Sequence, residues 1–232
     1  MRKALFLLTV IVCIFLSSAC SDSTTNNIKA LEKKATQGDV EAQYELGLIY
    51  AKGGRGGRKD DAKLKAVKWF EKAAVQGHVE AQYRLGFLYN SGGKRLRRDH
   101  VKAAEWFGKA AEQGLAKAQY NFGLIYFHGN GVAQDYGKAF EWFGKAAEQG
   151  DVDTQAFLGY IYSEGLGVKQ DFFKAFEWTE KAAVQGYERA QYNLGIMYER
   201  GQGIERDYIK AKEWYKRACD NGYKFGCDGE FE

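Results

Sequence analysis

Residues 136–150, YGKAFEWFGKAAEQG, decide the fold because nearly the same line occurs five times in the chain. Its tryptophan recurs at intervals of 37, 36, 36 and 36 residues, and each tryptophan lies eight residues before a glycine. The five tryptophans are Trp69, Trp106, Trp142, Trp178 and Trp214. Self-similarity at a fixed period of this size is typical of a solenoid of stacked repeats. The sequence therefore predicts a repeat architecture.

The first segment of each repeat reads AQYxLGxxY, as in residues 118–126. On a helix, Ala42, Leu46 and Tyr50 share one face, which we expect to form the core. A glycine recurs beside that face, at Gly47, Gly86, Gly123, Gly159 and Gly195. Glycine inside a helix costs about 1 kcal/mol relative to alanine. Its recurrence at one register therefore predicts a close approach of two helices.

The second segment of each repeat follows an aspartate, which is expected to cap the free N–H groups of a new helix. The aspartates are Asp99, Asp135, Asp171 and Asp207. In the third repeat, Ala139, Trp142 and Phe143 begin an apolar stripe with helical spacing, so both rings are expected in the core. Gly150 marks the end of that helix, where the backbone turns left-handed. Each repeat is therefore predicted to form two antiparallel helices.

The repeats divide most of the chain into equivalent units. Five full repeats are predicted at 39–77, 78–114, 115–150, 151–186 and 187–222. Residues 28–38 match only the second half of a repeat, and we expect a single N-terminal capping helix there. Residues 223–232 begin a sixth repeat and are predicted to form a partial C-terminal unit.

The N-terminus has the pattern of an export signal. Residues 1–19 carry a basic head and a short apolar run, too short to span about 30 Å of hydrocarbon as a helix. Residues 16–20, LSSAC, resemble a bacterial lipobox, so Cys20 is the predicted lipidation site and residues 20–27 a polar tether. The expected location is the cell envelope, at the outer membrane and facing the periplasm. Ordinary secretion, with Cys20 free, remains the alternative.

Cysteine usage near the C-terminus favours a disulfide. Cys219 and Cys227 are eight residues apart and flank Gly222. An exported protein folds in an oxidising compartment, where such a pair is oxidised. Two free buried thiols are the alternative.

Charge and histidine placement offer little support for nucleic-acid binding or catalysis. The formal net charge of +4 is too weak to indicate a nucleic-acid partner. The three histidines, His78, His100 and His128, occupy different repeat positions and belong to no metal or nucleophile motif. We expect no enzyme activity, no metal and no cofactor.

The signatures AQYxLGxxY and DxxKAxxWFxKAAxQG resemble those of the Sel1-like repeat family, which is related to the tetratricopeptide repeats, and the resemblance covers residues 39–222. It implies an all-α fold, a right-handed superhelical α-solenoid of antiparallel helix pairs. It also implies a scaffold or adaptor in the envelope that binds a protein or peptide ligand. Two alternatives remain open: a β-lactamase-like hydrolase, as suggested for the cysteine-rich branch of the family, and a binder of peptidoglycan or another glycan.

The expected binding surface is the face of the first helices opposite the core, which lines the concave side in tetratricopeptide-type arrays. Its aromatic rings offer contact area and hydroxyl groups. The predicted partner-binding residues are Tyr44, Phe87, Asn90, Tyr120, Leu124, Phe127, Tyr160, Tyr192 and Glu199. Burial of the tyrosines between neighbouring helices is the alternative.

Two basic loops near the N-terminal end form a second candidate surface. An anionic head group or a glycan is the ligand that their charge suits, and a solvated loop is the plainer interpretation. Their residues are Arg55, Arg58 and Lys59 in the first repeat, and Lys94, Arg95, Arg97 and Arg98 in the second.

Overall fold

The computed structural model describes residues 27–53 and 59–227, and it divides the chain into two compact units, Met1–Trp106 and Phe107–Glu232. Helix α1 covers residues 27–36. The others are α2 Val40–Ala51, α3 Lys59–Val75, α4 Val79–Ser91, α5 His100–Glu112, α6 Ala116–His128, α7 Tyr136–Glu148, α8 Val152–Glu164, α9 Phe172–Val184, α10 Glu188–Arg200 and α11 Tyr208–Asp220. The division between the units falls within α5. The described residues contain no β-strand.

The helices pack as consecutive pairs. In the first unit α2 packs on α3, and in the second α6 packs on α7, α8 on α9, and α10 on α11. Each pair corresponds to one sequence repeat, because neither amphipathic helix can bury its apolar stripe alone. The predicted fold class, an all-α solenoid of helix pairs, is confirmed.

The turn between the two helices of a repeat is held by its aspartate. In the third repeat the Asp135 carboxylate accepts a hydrogen bond from the Lys138 N–H at 3.0 Å, which caps α7. The Asp135 N–H donates to the Tyr126 carbonyl near the end of α6 at 3.0 Å. The same residue therefore caps one helix and ties it to the other, and Asp171 and Asp207 repeat the arrangement. The predicted aspartate caps are confirmed.

The centre of each helix pair is the ring that follows the tryptophan. Phe143 is completely buried, and a Cβ atom added at Gly123 would lie 2.5 Å from its ring. The recurring glycine therefore lets α6 approach α7 closely, as predicted. Trp142 was predicted to lie in the same core, but its indole is only partly buried. Lys145 Nζ lies 4.1 Å from the centre of its ring.

A buried glutamine joins each helix pair to the helix before it. Gln119 Nε2 donates to the carbonyl of Ala111 at 3.2 Å, and its Oε1 accepts from Gln149 Nε2 at 2.7 Å. One side chain thus connects α5, α6 and the end of α7. The equivalent glutamines Gln43, Gln155 and Gln191 make the same two kinds of contact. The AQY pattern by itself did not indicate this role of its glutamine.

Replacing Gln119 by Ala is expected to lower the free energy of unfolding by about 1–3 kcal/mol, because the hydrogen bonds of its buried amide with the Ala111 carbonyl and with Gln149 are both lost. Gln149→Ala is the matched control, since that side chain is exposed and water can replace it. Urea denaturation followed by circular dichroism measures both. Equal effects of the two substitutions would contradict the structural role of Gln119.

The predicted export signal, the predicted tether through residue 26 and the predicted lipidation site Cys20 lie outside the described residues. Cys219 and Cys227 are bonded to each other, with Cα atoms 4.9 Å apart, and the bond holds the short 3₁₀ helix Lys224–Gly226 against α11. Across the described ranges, none of the helices has the length and apolarity that crossing a membrane requires.

Candidate binding surface

In the first unit, two of the predicted binding residues make internal contacts. The Tyr44 ring stacks on His78, with centroids 4.3 Å apart, and lies 5.8 Å from the Phe70 ring. Asn90 Oδ1 lies 3.0 Å from His100 Nδ1 in the turn between α4 and α5. Both side chains therefore stabilise the fold in addition to any contact they make with a partner.

In the second unit, Phe127 does not lie on an open face. Its side chain is only 9% exposed, and its ring centre lies 6.3 Å from that of Phe143 and 5.8 Å from that of Phe157. The prediction that Phe127 is accessible to a partner is therefore wrong, because its ring fills the space between α6, α7 and α8. Tyr120 belongs to the same cluster, and burial, reinforced by the negative charge of Asp153, raises its pKa to about 12.

Near the C-terminal end, Tyr192 and Glu199 also contact their own chain. The Tyr192 ring lies 5.3 Å from that of Tyr215 and 5.2 Å from that of Tyr223. The Tyr215 hydroxyl donates to Glu199 Oε2 at 2.8 Å, and burial together with this hydrogen bond raises the pKa of Tyr215 above its usual value. Leu124 is partly buried against the core of its repeat.

Two of the predicted residues are largely exposed. Phe87 in α4 is 55% exposed, and Tyr160 in α8 is 49% exposed. Exposed aromatic rings provide contact area at a low entropic cost, which is why they concentrate at binding surfaces. The accessible part of the predicted face is therefore centred on Phe87 in the first unit and Tyr160 in the second.

Tyr160 lies at the edge of an open groove of about 350 Å³ between α8 and α10, with α9 as its floor. We call this the α8–α10 groove. It is lined by Gly159, Tyr160, Ser163, Glu164, Gln170, Phe172, Thr179, Asn193, Ile196, Met197, Arg200 and Gln202. The lining combines apolar surface with hydroxyl and amide groups and carries one cation and one anion, a mixture suited to a partly apolar peptide side chain.

Another open groove, in the first unit, lies beside the second basic loop. It has a volume of about 760 Å³, with Leu64, Val67 and Leu96 among its apolar lining and Arg97 and Arg98 among its charged lining. In the same loop Arg95 forms an ion pair with Asp61, and Lys94 is exposed. Arg55 and Arg58 of the first basic loop, and the side chain of Lys59, lie outside the described part of the chain.

Sequence reasoning did not identify Thr179 and Asn193 as lining residues. The signal was available in the repeat alignment, since Thr179 occupies a position that holds an aromatic ring in the other four repeats, at Phe70, Phe107, Phe143 and Tyr215. No three His, Cys, Asp or Glu side chains in the described ranges are grouped so as to hold a metal ion.

The same helical repeat occurs in a known protein family. The model of the Sel1 repeat matches residues 40–78, 79–115, 116–151, 152–187 and 188–223, each one residue later than the repeat bounds predicted above. No curated protein matched the chain.

The solved structures that the chain resembles include Sel1 repeat proteins. A protective antigen present in uropathogenic Escherichia coli strains, described as displaying an SLR fold, is 38% identical over 84% of this chain, with a TM-score of 0.78. This chain spans only 41% of that protein. A Sel1 repeat protein from Oxalobacter formigenes is 36% identical, covers 82% of this chain and 74% of its own, and has a TM-score of 0.72.

A putative Sel1 repeat protein from Klebsiella pneumoniae is 27% identical, covers 87% of this chain and 96% of its own, and has a TM-score of 0.54. Sel1 repeat proteins are generally protein-interaction scaffolds that bind other proteins, and most are not enzymes. With five matched repeats over most of its length, the chain belongs to the Sel1 repeat family.

Proposed function

We propose that this protein is a scaffold, anchored to the cell envelope through a lipid on Cys20, that binds a protein or peptide segment in the α8–α10 groove. The single observation that supports this choice of surface is the groove itself. It combines an exposed aromatic ring, Tyr160, with the apolar side chains of Ile196 and Met197 and with Arg200. Aromatic residues and arginine are the side chains that most often dominate binding energy at protein interfaces.

The groove suits an extended segment of a partner better than a flat protein surface. It is open to solvent and contains side-chain amides on both sides, from Gln170 and Gln202, which can exchange hydrogen bonds with a peptide backbone. Its cation and anion, Arg200 and Glu164, give the bound segment a preferred direction.

Separate incubation of the immobilised protein with solubilised envelope proteins and with isolated sacculi tests the class of ligand. We expect retention of a protein that is lost with Tyr160→Ala. Tyr208→Ala is the control, because Tyr208 is 55% exposed but does not line the groove. Retention by sacculi with no captured protein would contradict the proposal in favour of a glycan ligand.

Replacing Cys20 by Ala is expected to move the protein from the membrane fraction to the soluble fraction, because the thiol is the proposed attachment point of the lipid and a single removed anchor leaves little other membrane affinity. Fractionation followed by immunoblotting measures the change, with Cys13→Ala in the export signal as the control. If Cys20→Ala remained in the membrane fraction as fully as the wild type, the anchor would be elsewhere.

A further inference from the structure

Four aromatic rings fill the junction between the third and fourth repeats. They belong to Tyr120, Phe127, Phe143 and Phe157, and neighbouring ring centres in the cluster lie between 5.3 and 6.3 Å apart. Their contacts are tilted or edge-to-face, the arrangements that aromatic pairs prefer. The space enclosed by α6, α7 and α8 is therefore occupied by side chains of the protein itself.

All four rings are missing one repeat later. The residues 36 positions further along the chain are Ala156, Ser163, Thr179 and Asn193. Three of these four, Ser163, Thr179 and Asn193, line the α8–α10 groove. The groove is thus the space that aromatic rings fill at the preceding junction, left open by these three smaller side chains.

Helices α8 and α9 lie close together beside Thr179, yet the opening next to them remains. At Gly159 an added Cβ atom would first meet the Thr179 hydroxyl oxygen, and it would lie 3.2 Å from the Thr179 backbone nitrogen and 3.3 Å from the Ala175 carbonyl oxygen. At Gly123 the nearest neighbours are all atoms of the Phe143 ring. The backbones of α8 and α9 therefore meet closely, yet an opening of about 350 Å³ remains. A cavity of about 150 Å³ already accommodates a benzene ring.

The polar groups around the opening do not prevent an aromatic ring from entering. The Ser163 hydroxyl donates to the Tyr160 carbonyl at 2.8 Å, and Gln170 Nε2 donates to the Ser163 carbonyl at 2.7 Å. Asn193 is exposed, so its amide remains in contact with water. A ring that enters between Ile196 and Met197 therefore buries apolar surface without leaving these polar groups unpaired.

We propose that the α8–α10 groove binds an aromatic side chain supplied by a protein partner, which takes the place that Phe127, Phe143 and Phe157 occupy one repeat earlier. This inference rests on the proposed protein-binding function and adds the chemistry of the bound residue. The reason for an aromatic occupant is that, at the preceding junction, the same repeat positions carry rings that fill the equivalent space.

Titration of the purified protein with N-acetylphenylalanine amide, followed by NMR chemical shifts, tests the proposal directly. We expect saturable shifts of residues that line the groove, and none with N-acetylalanine amide. Asn193→Phe places a ring in the groove from α10, and Thr179→Phe does so from α9; each is expected to weaken the binding at least about tenfold, by occupying the space. Because Asn193 is exposed, its variant is expected to fold even if Thr179→Phe does not.

One control separates filling of the groove from a general effect of substitution. Val184→Phe adds a ring at a site on α9 that is 66% exposed and does not line the groove, and this variant is expected to bind as the wild type does. Equal shifts with the alanine amide, or undiminished binding by folded Asn193→Phe, would overturn the proposal.

The two proposals fail in different ways. A wild-type protein that binds the phenylalanine amide in the groove but captures no envelope protein would overturn the scaffold function while leaving the aromatic preference of the groove. A protein partner bound equally well by wild type and Asn193→Phe would leave the scaffold function and overturn the aromatic docking site.

Discussion

Replacing Phe143 by Ala is expected to lower the free energy of unfolding by about 3–5 kcal/mol, because a large side chain at the centre of the third repeat is lost and a cavity remains. Phe143 is completely buried, lies against Gly123 and contacts rings from three helices. Urea denaturation of the wild type and the variant measures the difference.

Trp142→Ala is the matched control, since it removes the neighbouring and larger ring. Trp142 is partly buried, with Phe122 at 5.3 Å and Lys145 Nζ at 4.1 Å from its ring centre. We expect a smaller loss of stability than for Phe143→Ala. A larger loss for Trp142→Ala would mean that the tryptophan, despite its exposure, is the centre of the repeat.

Tyr160→Ala is expected to weaken binding of the protein partner at least about tenfold, because the variant loses the exposed aromatic ring of the groove, and aromatic residues often dominate binding energy at interfaces. The melting temperature should change little, because the ring is 49% exposed. Calorimetry or surface plasmon resonance with the captured partner measures the affinity, and Tyr208→Ala provides the comparison. An unchanged affinity would place the partner on another surface, with the groove beside Arg97 the next to test.

The predicted residues Tyr120 and Phe127 would not serve for this experiment. Both belong to the buried ring cluster with Phe143, so alanine at either position is expected to reduce stability and to obscure any effect on binding. A repeat pattern alone therefore does not show which side chains of a helix face are covered by neighbouring helices.

The repeat period predicted the helix pairs and their turns because those features depend on local chemistry. Asp135 caps a helix by its own carboxylate, and Gly150 adopts a φ of 86°, which is favourable only for glycine. The close helix approach at Gly123 was also predictable, because glycine destabilises a helix interior and its recurrence at one register indicates a neighbouring helix in close contact.

The ranking of side chains within the core was not predictable from periodicity. Trp142 and Phe143 are adjacent on one broad apolar stripe, and which of them becomes central depends on where the facing helix makes its closest approach. Phe127 was misplaced because its ring reaches Phe157 of the next repeat, a contact between helices that a pattern within one helix does not contain.

The groove forms where small side chains replace the aromatic rings of the preceding junction. Ala156 was visible as a departure from the repeat, but its consequence depends on Ser163, Thr179 and Asn193 changing together, on three different helices. Only packing shows that these positions enclose one space. The lipid anchor at Cys20 stays a prediction, since it lies outside the described residues.

The central claim is that a protein partner binds in the α8–α10 groove. Photo-crosslinking in intact cells tests this claim most directly. A benzophenone amino acid is placed at position 160, at the edge of the groove, and for comparison at position 173, which is 74% exposed and does not line it. We predict a cross-linked protein from position 160 that is absent from position 173 and that disappears when Asn193→Phe is added. Equal cross-linking from both positions, or none from position 160, would contradict the claim.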